Sequence, residues 1–159
     1  MMETIYQPQD SLIDWATERM AESYAGFRSF RTDARAIGQA RNGRLSAVVV
    51  FDTFADGDCQ IHLVSDGSRR WISREFITRV MAYPFRQLKQ KRITALVSEF
   101  NEESLTFTRR FGGWAEEGRM RCAGPLGEDM LLFGMLAQDC PWLKPDMSAM
   151  IDKARARVA

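Results

Sequence analysis

The chain has 159 residues, enough for one domain that buries about two-thirds of its unfolded surface. It is 45% hydrophobic and 27% charged with a formal net charge of +1, which argues against a global electrostatic grip on nucleic acid and leaves only a local basic patch. Three widely spaced cysteines (Cys59, Cys122, Cys140) and one histidine match neither a disulfide framework nor a His/Cys metal site, so no metal is expected.

The opening MMETIYQPQD has neither a basic n-region nor an apolar h-region, and the longest apolar run is the short block at 47–51. Neither a secretory signal nor a membrane span is expected, and the expected location is the cytoplasm. Ser11 followed by Asp14 reads as a capping box. Leu12, Trp15, Ala16, Arg19 and Met20 continue at helical spacing and predict a helix over 11–22. A second short helix is expected over 23–30, with Phe27 and Phe30 inward.

Residues 34–41 and 44–54 flank Asn42-Gly43, the strongest two-residue hairpin signal. Val48-Val49-Val50-Phe51 is continuous enough for a strand covered on both faces. Ala55-Asp56-Gly57 turns the chain into a third strand over 58–65. After a polar, basic loop at 66–71, residues 72–91 read as a long helix with Ile72, Phe76, Val80 and Tyr83 on one side, kinked or broken at Pro84. A strand over 93–100 leads into a helix over 101–111 that Gly112-Gly113 stops. A last hairpin joins strands at 114–122 and 129–136 through a turn at 123–128. Residues 146–157 are expected as an amphipathic helix with Met147, Met150, Ile151 and Ala154 inward. Its Lys153, Arg155 and Arg157 would form a solvated face, or meet an acidic partner. The order α-α-β-β-β-α-β-α-β-β-α predicts an α/β fold with a mixed sheet, helices on both faces and one strand–helix–strand crossover between 58 and 100.

The run N-x-x-S-x-x-F-x-x-R-x-G from Asn101 to Gly112, then Glu117-Gly118-Arg119-Met120-Arg121, and Asp129 ahead of the next strand, resemble GNAT-type N-acetyltransferases. Within that superfamily they are most similar to the branch of ribosomal-protein N-terminal acetyltransferases. Residues 71–85 and the ending Phe133-Gly134-Met135-Leu136 also resemble phage and prophage GNAT-like proteins. The resemblance covers the core, 34–136. It reads 1–159 as a single GNAT-like domain with a C-terminal extension at 137–159.

That resemblance implies an acyl-CoA N-acyltransferase fold, with acetyl-coenzyme A lying in a V-shaped opening between two splayed parallel strands, here 60–65 and 93–100. Leu63, Val64 and Ser65 would meet the pantetheine arm as a mock strand. The pyrophosphate would sit at the helix start reached through 67–74. The family's Q/R-x-x-G-x-G/A loop is not reproduced: with Arg69 in first place, Ile72 and Arg74 occupy the two small positions. Arg69, Arg70 and Arg74 would then supply charge to the phosphates, or form a solvated basic loop. Asn101 reads as an N-cap in its own right. The resemblance places it, with Ser104, beside the pantetheine arm and the leaving thiolate. Arg110 is a surface residue or reaches the phosphate end.

Many family members carry a tyrosine seven residues after the asparagine as general acid. Here that position is Thr108, so Ser104 or the helix N-terminus must serve the departing thiolate. His62, sharing a strand face with Gln60 and Val64, is the first candidate base; its alternative is a hydrogen-bonded structural histidine. Glu99 is the second candidate, its alternative a solvent-facing carboxylate at a strand end. Cys122 has no evident activating partner and reads as a buried thiol. The implied function is acetyl-CoA-dependent N-acetyl transfer to a primary amine by direct attack, in a bacterial or phage-host cytoplasm. The acceptor would be a protein N-terminus or a small molecule, and a homodimer is one assembly the chain could build. The competing expectation is a catalytically silent GNAT-like binding or assembly protein.

Overall fold

Asn42 and Gly43 both take positive φ, 50° and 79°, the primed turn whose twist matches that of paired strands. Around it β2 (Arg35–Arg41) and β3 (Arg44–Ala55) pair antiparallel, with β1 (Met2–Ile5) added along the outer side of β2. The chain then forms β4 (Asp58–Ser65), α2 (Arg74–Ala82), β5 (Arg92–Ser98), α3 (Glu102–Phe111), β6 (Ala115–Met120) and β7 (Met130–Leu136); α1 (Gln9–Ser23) precedes β2. This is a computed structural model that describes residues 1–68, 72–144 and 154–158. Among these, one sheet of seven strands runs in the order β1-β2-β3-β4-β5-β7-β6, and β4–β5 is its parallel pair.

Alternation along β3 distributes the core. Val48 and Val50 face α1, packing with Leu12, Ala16, Ala36 and Val64. Ala47, Val49 and Phe51 face α2, packing with Phe76, Ile77, Val80 and Met81. On that second face Ala95, Val97, Leu131 and Phe133 hold Leu105 of α3. The result is a mixed α/β sheet with α1 on one face and α2 and α3 on the other.

Several expectations need correction. The capping box does not form: α1 starts at Gln9 behind Pro8, with no side-chain cap, and Ser11 lies inside the helix. Gln9 is instead drawn to the sheet edge. Its amide donates to the Ala36 carbonyl and accepts from the Ala36 N–H, both at 2.8 Å. The second helix over 23–30 is absent. Tyr24 is extended, and Gly26 takes φ 90°, which ends helical propagation. β1 was not anticipated. The helix over 72–91 is shorter and split: α2 ends at Ala82 and a π-helical segment, Tyr83–Gln87, follows. Pro84 has no N–H to continue the α-helical ladder, so the hydrogen bonds slip to Leu88 N–H on the Tyr83 carbonyl and Gln90 N–H on that of Pro84. Cys122 is exposed rather than buried. Of the expected C-terminal helix, residues 154–158 are helical and exposed, so Ala154 does not point inward; its other apolar positions, Met147, Met150 and Ile151, lie outside the described residues.

Candidate active site

The parallel pair β4–β5 shares one ladder position, Gln60↔Thr94. On its other side β4 is paired with β3 without a break from Gln60 to Ser65, and the Asp66 N–H on the Ser46 carbonyl (2.9 Å) continues that ladder past Ala47↔Ser65. Alternate residues of an antiparallel ladder exchange hydrogen bonds. Gln60, His62 and Val64 therefore bond to β3, while the peptide groups of Ile61, Leu63 and Ser65 point toward β5. β5 meanwhile pairs with β7 along its whole length. Beyond Gln60↔Thr94 the two strands part, and the main-chain groups of Leu63 and Ser65 face the gap without a ladder partner. Of the three β4 residues expected at a cofactor, Val64 is thus committed to β3 and the other two are not.

His62 lies on the α1 face of β4. Its Nε2 is 2.7 Å from Asp52 Oδ1, and its ring centroid is 5.2 Å from that of Phe30. The Asp52 side chain is 5% exposed against 25% for His62, so the acid is enclosed while the imidazole is reachable. Burial alone would raise the Asp52 pKa. Hydrogen bonds from His62, the Arg31 N–H (3.1 Å) and the Thr53 hydroxyl (3.3 Å) more than offset it, and the group titrates below its ordinary value. An ionised Asp52 fixes the tautomer with the proton on Nε2, leaving the Nδ1 lone pair as the basic site.

A β-bulge brings this pair together. Ala55 faces Asp58, yet Asp52 faces Gln60, so one extra residue is absorbed between them. Thr53 takes φ 53°, and Asp33 accepts from the N–H groups of Thr53 (3.1 Å) and Phe54 (2.9 Å). Without the slip, His62 would stand opposite Phe51 and Asp52 would fall on the other face of the sheet.

At the C-terminal end of β5, Asn101 caps α3 through Oδ1 and the Ser104 N–H (3.1 Å). Ser104 is half-buried, and its hydroxyl makes no hydrogen bond to a described residue. The Thr108 hydroxyl donates to the Ser104 carbonyl at 2.8 Å and is buried, which removes it from acid chemistry. Arg110 is exposed on the far turn of α3. Both Glu99 oxygens are engaged: Oε1 accepts from the Asp129 N–H (3.0 Å) and Oε2 from Arg119 (2.9 Å), which also bonds Asp129. Glu99 thus ties the end of β5 to the last hairpin with both of its oxygens engaged. Ser73 caps α2, accepting from the Phe76 N–H, and its own N–H donates to Gln39 Oε1 on β2 (2.9 Å). Arg74 follows, exposed. Arg69 and Arg70 lie outside the described residues.

No protein-family model matches the chain, and no curated protein matches it in sequence. Solved structures do match over most of its length. A spermidine N-acetyltransferase from Vibrio cholerae in complex with CoA and spermine gives a TM-score of 0.68 at 14% identity, covering 90% of this chain and 98% of that one. A point variant of that enzyme gives 0.71 at 13% identity over 90% and 96%. A chimera of the Vibrio cholerae enzyme and hSSAT gives 0.67 at 13% identity over 86% and 96%. The fold is that of the GNAT acetyltransferases. Identity this low speaks for the fold, and the chemistry has to come from this chain's own side chains.

Two further features of this GNAT fold escaped the sequence reading. One is Asp52, whose only signal was an acid placed directly after a run of buried apolar residues. The other is a roof over the α1 face of the gap, where the loop after α1 meets the β6–β7 turn. Tyr24 donates its hydroxyl to Glu128, which also accepts from the Leu126 N–H (2.8 Å). Burial first, and then the Glu128 bond, push the Tyr24 pKa up to about 12. A Cβ on Gly26 would lie 2.6 Å from Pro125 Cβ, and one on Gly124 would lie 2.1 Å from the Glu128 carboxylate. Gly26, which also takes φ 90°, therefore lets the two loops close this tightly, and a side chain at Gly124 would displace the Glu128 carboxylate. No signal in the sequence links residues 104 positions apart.

Proposed function

We propose that the chain is an acetyl-CoA-dependent N-acetyltransferase that acts on a primary amine by direct attack. The observation that carries this reading is the parting of β4 from β5 after Gln60↔Thr94, with His62 on the strand that bounds the gap and Asp52 bonded to it from β3. Acetyl-CoA supplies the activated acetyl group. Main-chain groups of Leu63 and Ser65 take the pantetheine amides as they would take a further strand, and a backbone N–H of this strand polarises the thioester carbonyl. The start of α2 and the exposed Arg74 offer a dipole and a cation to the phosphates in place of the absent glycines.

The acceptor nitrogen forms its bond to the acetyl carbon as the C–S bond breaks. His62 Nδ1, held by ionised Asp52 on the opposite nitrogen, takes the amine proton. The thiolate departs toward the N-terminus of α3, whose dipole stabilises it, and Ser104 Oγ or water returns a proton to sulfur.

The rival reading, a catalytically silent binding or assembly protein, is favoured by the engaged hydroxyl of Thr108 and by the side chains at Ile72 and Arg74. A thermal-shift titration with acetyl-CoA separates the two. A saturable rise in Tm at micromolar cofactor is expected through linkage. A flat response up to millimolar cofactor would reject the transferase. His62→Gln is expected to lower kcat roughly 100-fold or more near neutral pH with Tm retained; an unchanged rate would remove His62 as the base.

A further inference from the structure

An open cleft of about 730 Å³ lies beside the roof, lined by Gly26, Arg28, Phe30, Arg31, Ala123 and Pro125 among others. Two of its lining residues touch the dyad. Phe30 is the residue whose ring stands 5.2 Å from His62, and Arg31 is the residue whose N–H bonds Asp52. An acceptor seated in this cleft therefore lies one side chain, Phe30, away from the base.

The charges of the cleft are one-sided. Arg28 and Arg31 are both exposed, and neither guanidinium makes an ion pair or hydrogen bond to a described residue. Among the described residues, no carboxylate lines the cleft. The acids close by are already engaged. Asp52 serves His62 and the Arg31 N–H, Asp33 holds the bulge, and Glu128 serves Tyr24 and the Leu126 N–H. A polyammonium acceptor such as the spermine bound by one of the solved neighbours would meet two cations and no lining carboxylate among the described residues. An anionic group would meet two unpaired guanidinium forks, the geometry suited to bidentate carboxylate or phosphate recognition.

We propose that the acceptor is a small primary amine that also carries a carboxylate or phosphate, held by Arg28 and Arg31 while its amine faces His62. This rests on the transferase reading for its chemistry, but the anion site can be tested without it. Purified protein is titrated, in the absence of cofactor, with α-amino acids and their carboxamides, with phosphoethanolamine and ethanolamine, and with spermidine, while Tm is followed.

The acidic member of at least one matched pair is expected to raise Tm at roughly tenfold lower concentration than its neutral partner. Which pair responds separates carboxylate from phosphate recognition. Arg28→Gln and Arg31→Gln, both at exposed positions, are expected to abolish that preference while keeping the Tm of the unliganded protein. Equal response to the neutral partners, stronger response to spermidine, no response to any compound, or a preference that survives both substitutions would overturn the proposal. A parallel titration with acetyl-CoA keeps the two readings apart. An acid-selective shift without an acetyl-CoA shift leaves the anion site standing and rejects the transferase, and the converse does the reverse.

Discussion

Asp52 carries a charge in a place where an isolated carboxylate would not keep one. It does so because three donors converge on it, one of them the imidazole it orients. Asp52→Asn removes that charge and lets the His62 tautomer reverse, so kcat is expected to fall about 10- to 100-fold with a smaller change in KM, measured by steady-state acetylation. The same charge sets an acid limb for stability. The folded-state pKa lies below the ordinary 3.8, so this contribution is present above 3.8 and is lost as pH falls through the folded value. Urea midpoints measured from about pH 5 to about pH 3 should therefore fall more steeply for the wild type than for Asp52→Asn. Tyr24 gives the alkaline counterpart. Its raised pKa means that stability present below 10.0 is lost as pH climbs toward about 12, and Tyr24→Phe should flatten that decline.

The bulge in β3 shows how an element positions chemistry that its residues do not advertise. Strand 44–54 was legible from its apolar run and its Asn-Gly turn, both local signals. Thr53 gives no such signal, since a β-branched residue is a poor choice for positive φ. The conformation persists because Asp33, twenty and twenty-one residues earlier in the chain, accepts from both exposed N–H groups. Asp33→Ala is expected to cost roughly 1–2 kcal/mol in urea unfolding and to lower kcat by loosening Asp52 against His62. A stable variant with unchanged kcat would show that the bulge holds itself. The start of α1 makes the same point in reverse. A capping pattern at Ser11 lost to Gln9 because two hydrogen bonds to Ala36 outweigh one local cap.

At the scale of the molecule, the sheet is continuous everywhere except where β4 leaves β5. Apolar packing on both faces holds the sheet on either side of that seam: Ile61 joins the clusters under α2 and α3, while Val64 belongs to the one under α1. The seam can therefore open without loosening the core. Amide exchange followed residue by residue should show Leu63 and Ser65 exchanging faster than His62 and Val64, whose N–H groups bond to β3. Acetyl-CoA should slow Leu63 and Ser65 selectively. Uniform protection along β4 before cofactor is added would mean that the seam is closed in solution.

What the chain's order of residues determined on its own was local: the hairpin at Asn42-Gly43, the cap at Asn101, the break at Pro84, and the alternation that put His62 on one face with Gln60 and Val64. These follow from φ preferences and hydrogen bonds that span a few residues. The resemblance carried by 101–121 then indicated where two strands should part. The tertiary structure decided which acid stands behind His62, what roofs the gap and which cations line the cleft. A one-residue slip at Thr53 turns Asp52 to the face that His62 shares, and Tyr24 reaches Glu128 only once the five strands between them in the chain, β2 to β6, are in place. Such meetings depend on register and closure, which burial of the entire core selects and no short stretch of sequence encodes.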